Sequence, residues 1–256
     1  MLPLAPQQHY GTIVVVGGGC YGSYYLRQLG RAAQAGALTA ERVLIIDRDA
    51  HCRVASELKV DAPFEVKLAI EEWTPFFDSY LADAAERSST DALRAPDAIV
   101  PSPLMPHLMY EWLARRARAR WPHRAIETRP LDAASGIPWQ RRGDDGTQYV
   151  SFAEWICPVN CIEPALCPAT RGPRNWSMPP AVLATTEEAR RKGRNLAGPV
   201  IFHCQHRAYG VGMFDTRDVV AGDALVQRAA ESGAVEVLVG TVSHCHGALS
   251  VLAVGE

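Results

Sequence analysis

The chain lacks a run of apolar residues long enough to cross a bilayer. The nearest approach, residues 235–254, is interrupted by Ser243, His244 and His246, whereas a spanning helix needs about 20 apolar residues. It also lacks an excess of charge of one sign. Its 26 Lys and Arg against 28 Asp and Glu leave a formal net charge of −2, which gives no general attraction to nucleic acid or to an anionic membrane. The local basic clusters, Arg115, Arg116, Arg118 and Arg120, then Arg190, Arg191, Lys192 and Arg194, read as solvated faces. Residues 1–10 carry no basic start and no long apolar stretch, so no secretory signal is expected and the chain is read as cytoplasmic. There is no P-loop, nucleophile elbow or HExxH helix, no internal repeat and no low-complexity tract.

What is present is the composition of a soluble globular protein, 48% hydrophobic and 21% charged over 256 residues. That length accommodates one large or two small domains with a substantial core. Seven cysteines, five of them after residue 156, argue in a reducing compartment for metal binding or reactivity over disulfides.

The first half alternates strands and helices. A β-branched run at 12–16 leads into Gly17-Gly18-Gly19-Cys20-Tyr21-Gly22, followed by a helix over 23–35 with Gly36 as its stop, and then a buried strand at 42–47 ending in Asp47. Alternation at 64–70 predicts a third strand, 73–87 a helix, 97–100 a fourth strand, 107–120 a helix and 125–129 a fifth strand. This order predicts an α/β fold, a Rossmann-like doubly wound and mostly parallel sheet, with a Cys-rich metal-binding C-terminal portion. The polar stretch 135–146 marks a boundary, giving a dinucleotide-binding domain over 1–146 and a Cys/His-rich portion over 147–256, with completion of the same sheet left open. Beyond it, strands are expected at 148–152, 200–203, 235–241 and 249–254. Helices are expected over 185–192, opened by a capping-box-like Thr185 and Glu188, and near 223–232.

Gly17-x-Gly19-x-x-Gly22 between a strand and a helix is a pyrophosphate-binding pattern. The first glycine permits the turn, the second lets backbone amides approach phosphate, and the third allows helix and strand to pack closely. The helix N-terminus adds free amides and partial positive charge. Asp47 stands where a carboxylate accepts hydrogen bonds from an adenosine ribose, which favours NAD, while the adjacent Arg48 suits the 2′-phosphate of NADP. Cys20 lies within the turn. On Gly17, Gly19, Gly22 and Asp47 the chain resembles the Rossmann NAD(P)-binding proteins, and among them the NAD-binding domain of Trk-type potassium-uptake regulators, over about residues 12–125. The resemblance implies dinucleotide binding, and those regulators have no Cys-rich second half. A similar turn also serves S-adenosylmethionine.

Cys157, Cys161 and Cys167 crowd into one proline-stiffened loop, with Pro158, Pro164 and Pro168. Soft ligands at that spacing point to a metal centre, zinc or iron–sulfur, and further donors are sought at Cys245, then at His246 or Cys204. Glu163, Arg171 and Arg174 are candidates to support it. His107, after the proline-rich turn, is the candidate proton donor or acceptor, with helix packing as the equal alternative. The expectation is an NAD(P)-dependent oxidoreductase with a Cys/His metal centre and an unidentified small-molecule or redox partner, with homo-oligomerisation open. The alternatives are a dinucleotide-sensing regulator with structural zinc and an S-adenosylmethionine-dependent methyltransferase.

Overall fold

The computed structural model describes residues 8–58, 62–90, 94–153 and 161–256. In chain order the elements begin with β1 (Gln8–Val16), α1 (Cys20–Gln34), β2 (Leu38–Asp47), β3 (Glu65–Ile70), α2 (Trp73–Thr90) and β4 (Ala98–Val100). There follow α3 (Leu108–Arg120), β5 (Ile126–Arg129), β6 (Trp139–Arg142), β7 (Gln148–Ser151), α4 (Met178–Arg191) and β8 (Leu196–His203). The chain closes with β9 (Gln205–Ala208), β10 (Val211–Asp215), α5 (Thr216–Glu231), β11 (Val235–Val242) and β12 (His246–Val254). Among the described residues no helix is long and apolar enough to cross a membrane.

The protein is a mixed α/β chain with two mixed sheets. Its contacts divide it into two compact units, one of Met1–Met105 with Gln205–Arg217, the other of Pro106–Cys204 with Asp218–Glu256. The boundary expected after residue 146 is therefore not where the contacts divide, because β6 and β7 on either side of it pair as one hairpin.

The first unit holds a sheet in the order β3-β2-β1-β4-β10-β9. Strands β1 to β4 run parallel, whereas β10 and β9 are antiparallel additions from much later in the chain. β1 is central, and Ile13, Val14 and Val15 are wholly buried, as a β-branched strand covered on both faces should be. Leu26 and Leu29 of α1 lie in the same core, also at 0% exposure. The helix ends as expected at Gly36, which takes φ +70°. Gly36 N donates to Ala33 O and Ala37 N to Ala32 O, the paired closing bonds of a glycine-terminated helix.

The second unit holds a sheet in the order β6-β7-β12-β11-β8. β11 and β8 are parallel; the remaining pairs are antiparallel. The mostly parallel arrangement expected of the whole chain thus does not extend to this unit. β5, expected as a fifth parallel strand, pairs antiparallel with the last residues of β12. Its alternation of half-buried Ile126 and Thr128 with exposed Glu127 and Arg129 fits a one-sided antiparallel strand. The helix expected at 185 instead begins at Met178, with Pro179 and Pro180 in its opening turn, where a missing N–H costs no intrahelical bond. Thr185 lies in mid-helix and donates back to Ala181 O at 2.8 Å, so its spacing to Glu188 is not a cap. The core here gathers Leu131, Val150, Met178, Val182, Leu238 and Leu249.

Candidate functional site

The glycine turn of the first unit leaves β1 at Val16 and enters α1 at Cys20. Gly17 adopts φ +88°, a conformation that side-chain-bearing residues rarely take. A Cβ at Gly17 or Gly19 would meet nothing within 4 Å, so open space lies over the turn. A Cβ at Gly22 would overlap the Gly17 carbonyl oxygen, and the third glycine is what allows α1 to press against the turn. Gly19 is the N-cap, no side chain caps the helix, and its first turn holds no acid. The leading amides and the positive end of the helix dipole are thus suited to an anion.

Asp47, at the end of β2, is half-buried. Its Oδ2 accepts from Gly18 N at 2.6 Å and its Oδ1 from Asp49 N at 2.9 Å, so the carboxylate fixes the turn while each oxygen keeps further acceptor capacity. Arg48 is exposed and pairs loosely with Glu72 at 3.9 Å. Cys20 is exposed at the first position of α1. The Cys52 Sγ packs against Gly18 so closely that a Cβ there would overlap it. Burial pushes the Cys52 thiol up. Cys52 lies five residues beyond Asp47, and Val54 N, two residues on, donates to Gly18 O at 2.8 Å and ties this segment to the glycines.

In the second unit the segment 161–176 forms a small irregular hairpin. Cys167 N donates to Gly172 O and Arg174 N to Ala165 O, while Arg171 takes φ +57°. The hairpin is joined to the turn between β11 and β12. Glu163 Oε1 accepts from His244 N at 3.1 Å, Trp176 Nε1 donates to Cys245 Sγ at 3.3 Å, and Met178 N donates to His244 O at 3.0 Å. The segment that carries Cys161 and Cys167 is thus bonded through Glu163 and Trp176 to the turn that carries Cys245. Cys157 lies outside the described residues.

Arg174 is the charge these groups share. Burial disfavours its cation, but Cys245 foremost, then Cys161 and Glu163, hold its pKa above the ordinary value. Nη1 donates to Pro164 O at 2.5 Å, whereas Nε and Nη2 are buried without a well-formed hydrogen bond. For Cys167, burial would raise the thiol pKa, yet bonds from the Thr170 amide and hydroxyl and the Ala169 amide, with Arg174 beyond, bring it below the usual value. Thr170 was missed in the sequence, although its place three residues after Cys167 was the available signal. Burial dominates at Cys245 and raises its thiol, against the Trp176 bond and the Arg174 charge.

The other expected donors lie elsewhere. His246 Nδ1 is bonded to Ser151 Oγ at 2.8 Å. Cys204 follows β8 and its amide donates to Val242 O. Among the described residues no group of three or more His, Cys, Asp or Glu side chains is disposed to hold a metal ion. His107 is 6% exposed, bonds Thr241 Oγ1 through Nδ1 at 3.2 Å and stacks on Tyr110. Burial brings it down to about 3, so it is neutral at physiological pH. Of the two readings of His107, the geometry favours packing over proton transfer, because a cation at that depth is too poorly solvated to form.

No curated protein and no solved structure matches the chain. Residues 109–255 match the family model AF_1314_C, described as "Uncharacterized protein, C-terminal domain", a region that takes in the cysteine hairpin and leaves out the glycine turn. Because that match spans more than half of the chain, the protein belongs to this family.

Proposed function

We propose that the chain is an NAD(P)-binding protein of the oxidoreductase class, its first unit a Rossmann-like half with two antiparallel strands added. One observation carries this reading: an open glycine turn at the carboxyl end of a central parallel strand, opening a helix that no side chain caps. Ligands of open α/β sheets bind at that edge, beside the point where strand order reverses. Here the order β3-β2-β1-β4 reverses at β1. Gly17, Gly19 and Gly22 with the amides opening α1 would receive the pyrophosphate, Cys20 among them, and Asp47 the ribose hydroxyls. Asp47 and the Glu72 carboxylate near Arg48 both disfavour a 2′-phosphate, so NAD is preferred to NADP. A bound nicotinamide supplies hydride chemistry.

A second reading, a dinucleotide sensor without turnover, is favoured by the burial and neutrality of His107, which leave the proposed acid–base role without a group to fill it.

Calorimetric titration of the full chain with NADH, NADPH and S-adenosylmethionine tests the proposal. NADH should bind most tightly. Asp47→Ala should weaken it roughly tenfold, about 1.5 kcal/mol, and Asp47→Asn, which keeps one acceptor, by less. Binding of S-adenosylmethionine alone, or NADH affinity indifferent to Asp47, overturns it. Binding with no hydride transfer to quinone or dye acceptors selects the sensor.

A further inference from the structure

The amino end of β1, in the first unit, holds polar chemistry that the glycine turn does not use. Gln8, His9 and Tyr10 open the strand, and with Pro96, Arg207 and Asp215 they line a cavity of about 260 Å³. Arg207 comes from β9 and Asp215 from β10, the two antiparallel strands added to the sheet. Their pairing skips Arg207: Val211 pairs with Ala208, but the next residue, Gly212, pairs with His206. An extra residue of this kind re-aims a side chain, and such irregularities gather at sheet edges and beside active sites. The Arg207 side chain is 13% exposed and that of Asp215 19%, and the two form an ion pair. Taking both charges this far out of water is expensive, and neighbouring bonds hold them there. Arg207 Nη1 donates to the Tyr10 hydroxyl at 3.3 Å and Nε to Gln205 Oε1 at 3.2 Å, while Tyr10 donates to Gln8 Oε1 at 2.8 Å. Burial disfavours the Arg207 cation, yet Asp215 and Tyr10 hold its pKa above the ordinary value.

What these bonds leave open defines a ligand. A guanidinium has five N–H donors, and among the described residues the two on Arg207 Nη2 have no partner. Gln8 Nε2 likewise keeps both of its donors. Asp215 Oδ2 meets only the exposed Arg217, at 3.5 Å, and so retains acceptor capacity. Donors for a carboxylate thus stand beside one acidic acceptor. We propose that this cavity binds a small α-amino acid, with Arg207 and Gln8 taking its carboxylate and Asp215 its ammonium group. A planar guanidinium suits a carboxylate because it offers two parallel bonds. The volume lies below the roughly 300–1,000 Å³ of pockets for drug-sized molecules, which restricts the amino acid to a short side chain. β1 is 9 residues long, so its two ends lie about 26 Å apart. The ligand is therefore an effector and not a reactant for a cofactor at the glycine turn. The inference does not rest on the dinucleotide reading, since binding is measured without nucleotide.

The test titrates the full chain calorimetrically with glycine, L-alanine and L-serine, alongside acetate, methylamine and L-lactate. At least one of the amino acids should bind saturably, roughly tenfold or more tightly than acetate or methylamine, each of which offers one charge. Arg207→Gln should abolish binding, and Gln8→Ala should weaken it roughly threefold to tenfold. Asp215→Asn should remove the advantage of L-alanine over L-lactate, which carries a hydroxyl in place of the ammonium. Gln8→Ala leaves the ion pair in place and carries the test if Arg207→Gln does not fold. A folded wild-type protein that binds none of the three amino acids at millimolar concentration overturns the proposal. So does binding that Gln8→Ala and Arg207→Gln both leave intact, or equal affinity of the wild type for L-alanine and L-lactate.

Discussion

The glycine turn and the cysteine hairpin solve opposite problems. In the turn, regular elements on both sides dictate the loop. β1 and α1 are fixed by burial, and the connection must fit between them, so residues without side chains occupy it. In the hairpin no regular element sets the path. Its course is held by a few specific bonds, such as Cys167 N to Gly172 O and Trp176 Nε1 to Cys245 Sγ. One region is shaped by what it excludes, the other by what it holds, and substitutions should therefore fail differently in each.

The largest expected effect lies in the first unit. Gly22→Val forces a branched side chain onto the Gly17 carbonyl, and backbone cannot step aside as a flexible side chain can. A loss of about 3 kcal/mol or more is expected by urea unfolding. A variant as stable as wild type would break the claim that close packing fixes this turn.

The second unit should be the acid-sensitive one. His107 has an ordinary pKa of 6.5 and is brought down to about 3 in the fold, so below 6.5 the unfolded chain binds a proton that the folded chain refuses. Stability from this group is fully present above pH 6.5 and is lost as the pH falls toward 3. The slope is about 1.4 kcal/mol per pH unit, or about 2 kcal/mol by about pH 5. His107→Phe keeps a ring against Tyr110 and should flatten this limb in unfolding curves at stepped pH. An unchanged slope would remove His107 from the account.

Gly17→Ala sharpens the comparison more gently. Open space surrounds the position, so only the φ of +88° opposes it, and about 1–2 kcal/mol is expected from the same unfolding assay. The smallest effect concerns Glu57, held below its ordinary carboxyl range by the Ser23 hydroxyl and by Arg53 and Arg27. That stability is present above the unfolded carboxyl pKa and lost as pH falls through the folded one. With both arginines about half exposed, Glu57→Gln should cost under about 1 kcal/mol at pH 7 and nothing in strong acid.

Much of the first unit was legible because its signals are local. A β-branched run, three glycines and a closing Gly36 each act within a few residues, and β1, α1 and β2 stand where those signals put them, within a few residues at their ends. β9 and β10 were not, since short strands carry little periodicity and the pairing of β10 with β4, beside which β9 is added, depends on residues more than 100 positions away. At the cysteine hairpin, the sequence led to the expectation that Cys161, Cys167 and Cys245 meet at one metal with His246 or Cys204, and among the described residues no such group forms. The neighbours of His246 and Cys204, Ser151 and Val242, are set by strand register, which depends on residues far along the chain.

By itself the sequence determined which chemistry the chain can offer: a side-chain-free turn at the head of a helix, a carboxylate at the end of the next strand, and sulfur concentrated in one proline-rich loop. The tertiary structure alone decided which of those groups meet. It seated Asp47 on Gly18, buried His107 against Tyr110, and buried Cys167 and Cys245 while leaving Ile162 and Leu166 outside. Residue types set the strength of an interaction, but distance and desolvation set whether it occurs, and both depend on pairings between residues far apart in the chain.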